Sequence, residues 1–361
     1  MLMDGPLSKE ELHRRALELL DVENLEGPEL CRAYLNASKL VRYDNPQLMV
    51  DFAAQAVDLA QSLDLERYGH REVADCHFLA LIELGNAYRV ADRHKEAGST
   101  LGEALAVWYQ GSRDELLRAR LHDYQASLAA DKRHFTEAFT ALDTVYSIYS
   151  RLGEDHLAGR ALISKGIYQG YEGNYTEAIR LLREGLAKID RERDLALALS
   201  AVQSQASFLV MLGRFRDARK LMWGESFPKE LMGARINWLK VRWLEAQIDA
   251  GFGENQRAEA GLLEVTRGFE KEKLYYKAAL AGLDLVHLWY RQGRIDHVRE
   301  VVAGLVKIFL SYNVDREALL ALGLLDSALK EGIEAGAILD RVTDFIRRAE
   351  TQPGMKFDDW F

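Results

Sequence analysis

Tyr171-Glu172-Gly173-Asn174-Tyr175-Thr176-Glu177-Ala178-Ile179-Arg180-Leu181-Leu182 holds the end of one helix, a turn and the start of the next. Gly173 suits the turn because glycine enters the left-handed region at little cost and lets the loose carbonyls of a helix end find donors. Beyond it, Ala178, Leu181, Leu182, Gly185 and Leu186 recur at helical spacing, giving the new helix one apolar face.

The same arrangement repeats outward in both directions. Equivalents of Ala178 stand at Ala97, Ala138, Ala218, Ala258 and Val298, with successive spacings of 41, 40, 40, 40 and 40 residues. Four residues after each comes a large apolar residue: Leu101, Leu142, Leu182, Met222, Leu262 and Val302. Twelve residues before each comes a small one (Gly85, Ala126, Gly166, Ala206, Ala246), with Val286 the exception. The turn glycine recurs as Gly213, Gly253 and Gly293, followed two residues later by Phe215 and Ile295 in the series begun by Phe135 and Tyr175. Small residues are required where two antiparallel helices approach most closely, and the bulky residue after the turn plugs the hairpin corner.

Leu84-Gly85-Asn86-Ala87-Tyr88, followed by His94-Lys95-Glu96-Ala97, resembles the tetratricopeptide-repeat pattern, and the stretch from Tyr171 to Leu182 resembles it most. The common repeat of that family has 34 residues. A period of 40 implies helices about one turn longer, a form similar to the sensor regions of bacterial peptide-responsive and sugar-responsive regulators and to kinesin-light-chain-type cargo binders. The resemblance implies an all-α fold, a right-handed superhelical α-solenoid of helix hairpins whose first helices line the concave side.

Four segments are expected. Residues 1–70 read as diverged amino-terminal helices and a capping unit, with Ser8-Lys9-Glu10-Glu11 as a capping box and Pro28 and Pro46 opening two further helices. Residues 71–313 read as six regular repeats, 314–350 as a closing helix pair, and 351–361 as a tail. Within the array, Trp223-Gly224-Glu225-Ser226-Phe227-Pro228 is expected to cut a second helix short and introduce a kink. The aromatic, acidic tail Phe357-Asp358-Asp359-Trp360-Phe361 is expected to fold back over the last helices; docking on a partner or a neighbouring copy is the alternative.

The 361 residues carry a formal charge of −9, with 48% hydrophobic residues and 5 prolines, which suits a continuous core and opposes direct nucleic-acid binding. Cys31 and Cys76 are too few for a disulfide framework and read as buried thiols. No signal-peptide pattern and no apolar run long enough to span a membrane is present, so a cytoplasmic protein without membrane attachment is expected. Phosphate-binding loop, nucleophile elbow and metalloprotease motifs are all missing. Gly251-Phe252-Gly253 reads as a helix–helix turn, and adjacent positions such as Cys76 and His77 rarely share a metal. An enzyme, a metal and a cofactor are therefore not expected.

The expected function resides in the groove. Read down the first helices, one column runs Asn86, Ser127, Ile167, Ser207, Gln247 and His287; a second Leu79, Arg120, Arg160, Ser200, Lys240 and Leu280; a third Ile82, Asp123, Ile163, Gln203, Trp243 and Leu283. Arg89 opens a fourth, and Lys165 stands in a column beside them. The resemblance carries over one residue, Asn86, as the groove asparagine. Polar side chains on a partly dewatered wall are costly unless they meet a partner, so this set suits a protein or peptide with acidic side chains or a free carboxylate. The bland reading is that many of them face solvent or pair with each other, as Arg120 with Asp123 one helical turn apart. Trp243 reads more readily as packing than as an aromatic cage. A peptide- or protein-binding adaptor is the leading expectation. The alternatives are the sensor or regulatory subunit of a signalling or transcription system that binds a small molecule or signal peptide and acts through a separate effector, and a self-assembling element that docks through its tail.

Overall fold

The computed structural model describes residues 9–20, 25–42, 44–224, 235–350 and 355–357. Every regular element among them is a helix, and they fall into two units, Met1–Lys165 and Gly166–Phe361. The division lies inside the stretch whose period is continuous in sequence.

The first unit opens with α1 (Lys9–Leu20), α2 (Gly27–Leu40), α3 (Pro46–Gln61) and the single turn α4 (Leu65–Tyr68). Pro28 and Pro46 sit in the first turns of α2 and α3, where a missing N–H costs nothing, and Asn45 caps α3 by accepting from the Leu48 N–H at 3.0 Å. Ser8, the expected cap of α1, lies outside the described residues. Helices α2 and α3 pack on each other and on α5 (His70–Val90), which pairs with α6 (His94–Trp108); α7 (Glu115–Asp131) and α8 (Phe135–Arg151) form the next hairpin, and α9 (Asp155–Glu172) begins the one after. Cys31 and Cys76 are both buried, the Cys31 thiol donates to the Ala56 carbonyl of α3 at 3.5 Å, and the neighbouring Cys76 together with burial pushes the Cys31 thiol far up.

The second unit contains the rest of α9 with α10 (Tyr175–Lys188), then α11 (Leu195–Met211), α12 (Phe215–Met222), α13 (Arg235–Gly251), α14 (Asn255–Lys271), α15 (Tyr275–Arg291) and α16 (Ile295–Tyr312). The closing helices are α17 (Arg316–Glu331) and α18 (Gly336–Ala349). Helix α17 packs on α16, while α18 packs on α17 and returns to lie against α15. Of the tail, residues 355–357 are described: Phe357 is buried edge-on to Phe345, 4.9 Å between rings, and its N–H donates to Glu317 at 3.0 Å. Residues 358–361, and with them most of the aromatic motif, lie outside the described residues.

The repeat columns are the contact points of the core. Ala97 and Ala138 in the first unit, and Ala178, Ala218, Ala258 and Val298 in the second, are all 0% exposed. A Cβ added to Gly85 would stand 2.6 Å from Leu101, and one added to Gly166 would stand 3.1 Å from the Ala178 carbonyl, so bulk is excluded where the helices touch. The turn column keeps its left-handed backbone in every unit. Gly173, Gly213, Gly253 and Gly293 have φ between 68° and 96°, and Asp92 and Arg133, which replace glycine in the first two hairpins, have φ of 60° and 62°. Helix α12 stops after eight residues at Met222, two residues before Gly224, so the second helix of this hairpin is cut short as expected. Pro228 and the expected kink lie outside the described residues.

Candidate functional site

In the first unit the polar side chains of the first helices gather around two carboxylates. Glu83 on α5 is only 2% exposed and accepts from Arg120 Nη1 at 3.3 Å, Tyr124 Oη at 3.0 Å and Lys39 Nζ at 3.1 Å. Arg120 and Tyr124 come from α7 and Lys39 from α2, so one carboxylate ties three helices together. Arg120 reaches back to Glu83 rather than forward to Asp123. Asp123 is half-buried on α7. Burial pushes its carboxyl above the ordinary range, against the opposing pull of Arg160, Arg89, Arg120 and Arg42.

Asn86 is buried, and its side-chain oxygen accepts from Arg89 Nε at 3.1 Å and Nη2 at 3.0 Å, while Arg89 Nη1 donates to Asp131 at 2.8 Å. The groove asparagine of the resemblance thus orients an arginine one turn along its own helix. Ser127 is half-buried on α7, and Arg160 is exposed on α9. Lys165 turns to the second helix α8, pairing with Asp143 at 2.5 Å, and stands apart from this group.

In the second unit the corresponding carboxylate is held by neutral donors. Asp284 on α15 accepts from Trp243 Nε1 and Gln247 Nε2, both on α13 and both at 2.7 Å to the same oxygen. Burial pushes the Asp284 carboxyl up, and those two hydrogen bonds oppose the shift. Trp243 also packs edge-on against Phe269, 5.7 Å between rings, so it serves both as core and as donor. His287 lies within hydrogen-bond reach of Thr343 on α18 at 3.1 Å, and burial pushes its imidazole down. Lys240 is half-buried, and burial followed by repulsion from Lys277 lowers its ammonium; Lys277 itself pairs with Glu350. Gln203 keeps a buried side-chain nitrogen without a partner among the described residues. Helix α18 therefore covers the α15 wall, and His287 meets a closing helix there.

Reading down columns missed Glu83, Tyr124 and Asp284. All three fall fourteen residues before the repeat alanine, one place along from the Asp123 and Trp243 column. An acid at both ends of that column, beside polar neighbours one repeat away, was the available signal. Among the described residues no group of three or more His, Cys, Asp or Glu is placed to hold a metal. Among the described residues no helix is long and apolar enough to cross a membrane.

The chain matches no protein-family model and no curated protein sequence. Its fold does have counterparts among solved structures. Aspartyl phosphate phosphatase F from Bacillus subtilis is 15% identical, with a TM-score of 0.57 over 81% of this chain and 79% of that one. A Rap protein complexed with competence and sporulation factor is 13% identical, with a TM-score of 0.58 over 90% and 88%. A signal-transduction ATPase of Pyrococcus horikoshii with a tetratricopeptide repeat sensor is 15% identical, with a TM-score of 0.56 over 95% of this chain but 50% of that one. At these identities the likeness concerns the fold, a tetratricopeptide-like series of helix hairpins.

Proposed function

We propose that this chain is a regulatory scaffold that holds a protein or peptide against the first helices of its amino-terminal unit, recognising an acidic side chain or a free carboxylate. The carrying observation is the set of four arginines, Arg42, Arg89, Arg120 and Arg160, acting on the half-buried Asp123. Planar guanidinium groups around a partly dewatered spot favour a carboxylate over water, and a bound carboxylate gains more there than on an open surface. The Rap protein of the same fold that was crystallised with competence and sporulation factor supports a bound-factor reading, and the sensor segment of the archaeal ATPase supports a regulatory one.

The test is capture of partners from the source cells with the wild-type chain and with Arg160→Glu. Arg120 is a poor choice because it neutralises the buried Glu83, so its reversal would mix folding with binding. Reversal at the exposed Arg160 is expected to weaken capture at least tenfold with an unchanged melting temperature; undiminished capture ends the reading. Asp123 adds a sign. Its carboxyl titrates above the ordinary range, so lowering the pH toward that value removes a competing negative charge from among the arginines. Binding of an acidic partner is expected to tighten as pH falls through the folded-state titration of Asp123, and Asp123→Asn is expected to flatten that dependence.

A further inference from the structure

The second unit contains a cavity of about 520 Å³ between α10, α11 and α12, at the point where α12 stops. Its wall includes Gln205, a polar side chain that is 3% exposed. A side-chain amide in this wall offers an incoming ligand one hydrogen-bonding group to match, and a ligand that covers it without matching it bears the cost of an unbonded polar group. The surfaces beside it are apolar: Leu186, Val202 and Leu209 are each at most 7% exposed. At the mouth stand Arg183 and Lys220, both exposed and without an ion-pair partner among the described residues. The acid in the lining, Asp217, is already paired with Arg214 at 2.6 Å.

We propose that this cavity is a binding site for a small organic carboxylate whose apolar body carries an amide or carbonyl group. The carboxylate would meet Arg183 and Lys220 at the mouth, the apolar body would lie on the leucines and Val202, and the inner polar group would satisfy Gln205. This order follows from the cavity itself: cations outside, apolar walls, one amide at depth. A simple phosphate would leave the apolar walls wet, and a plain fatty acid would leave Gln205 unbonded.

N-octanoylglycine and decanoate, titrated calorimetrically into the full chain at neutral pH, separate these demands, since both are carboxylates of similar length and only the first has an amide. The expected result is one site for N-octanoylglycine, with decanoate about tenfold weaker. Arg183→Glu combined with Lys220→Glu is expected to weaken both by about tenfold or more with an unchanged melting temperature. Gln205→Leu is expected to erase the preference between the two while decanoate still binds. Arg160→Glu in the other unit leaves the titration unaltered, which separates this site from the proposed peptide wall. No saturable binding of either acid at millimolar concentration, equal binding by the double variant, or loss of binding in Arg160→Glu overturns the proposal.

Discussion

Glu83 and Asp284 occupy the same place in the repeat, one on α5 and the other on α15, yet they are held by opposite chemistry. Glu83 sits among cations, with Lys39 and Arg120 on one oxygen and Tyr124 on the other. Asp284 sits among neutral donors, with Trp243 and Gln247 on one oxygen. Both take donors from a neighbouring first helix 41 and 37 residues away, Glu83 from the repeat that follows it and Asp284 from the repeat that precedes it. The backbone period thus fixes where a carboxylate can be reached, and the side chains one repeat away decide whether its charge is compensated. Glu83 is a cross-helix tie. Asp284 is a charge kept in place against its desolvation cost.

The largest expected break in this comparison comes from Glu83→Gln. Removing the charge strips two cations of their shared partner and weakens the junction of α2, α5 and α7. Removing one member of a fully buried pair costs about 3–5 kcal/mol. Here Lys39 and Arg120 keep 44% and 41% of their side-chain surface exposed and can turn to water, so about 2 kcal/mol is the expected loss. A urea titration followed by helical circular dichroism measures it, and a loss below about 0.5 kcal/mol would mean the tie is only a surface pair.

Trp243→Phe sharpens the other side. Phenylalanine keeps the edge-on contact with Phe269 but deletes the indole N–H that Asp284 accepts, for about 1 kcal/mol. With one donor fewer, the Asp284 carboxyl should titrate still higher, observable by carboxyl-region NMR on pH titration. An Asp284 titration that stays put would show that the indole bond does not hold the charge.

How far the sequence foretold this can be judged at single residues. The hairpins were legible because Ala178 and its equivalents are alanine in every repeat but that of Val298, and Gly173, Gly213, Gly253 and Gly293 mark where four first helices end. The left-handed turn persists at Asp92 and Arg133, where the residue type does not announce it. The polar side chains of the first helices were legible one by one, but not their pairings. Arg120 has two acids within reach of its column, and only packing decides that it turns to Glu83. Lys165 stands in a column beside the others, and its pairing with Asp143 on α8 is not encoded in that column. The return of α18 onto α15, which occupies His287, comes from how the closing pair docks, and no column encodes that.

The smallest expected effect has the most telling sign. Burial raises the folded-state titration of Asp284 above its unfolded value of roughly 3.9, so the native chain binds more protons than the unfolded one between those two values. The contribution of Asp284 to stability is therefore fully present below pH 4 and is lost as pH rises through its folded value. Asp284→Asn keeps an oxygen for Trp243 and Gln247 and removes the charge. At neutral pH the variant is expected to be as stable as wild type or more so, by up to about 1 kcal/mol, whereas the matching change at Glu83 destabilises. Below pH 4 the wild-type aspartate is itself neutral, and the two melting temperatures should converge. A variant clearly less stable than wild type at neutral pH, with the gap closing only in acid, would show that the charge of Asp284 is compensated after all. The two carboxylates would then be variations on one tie rather than opposites.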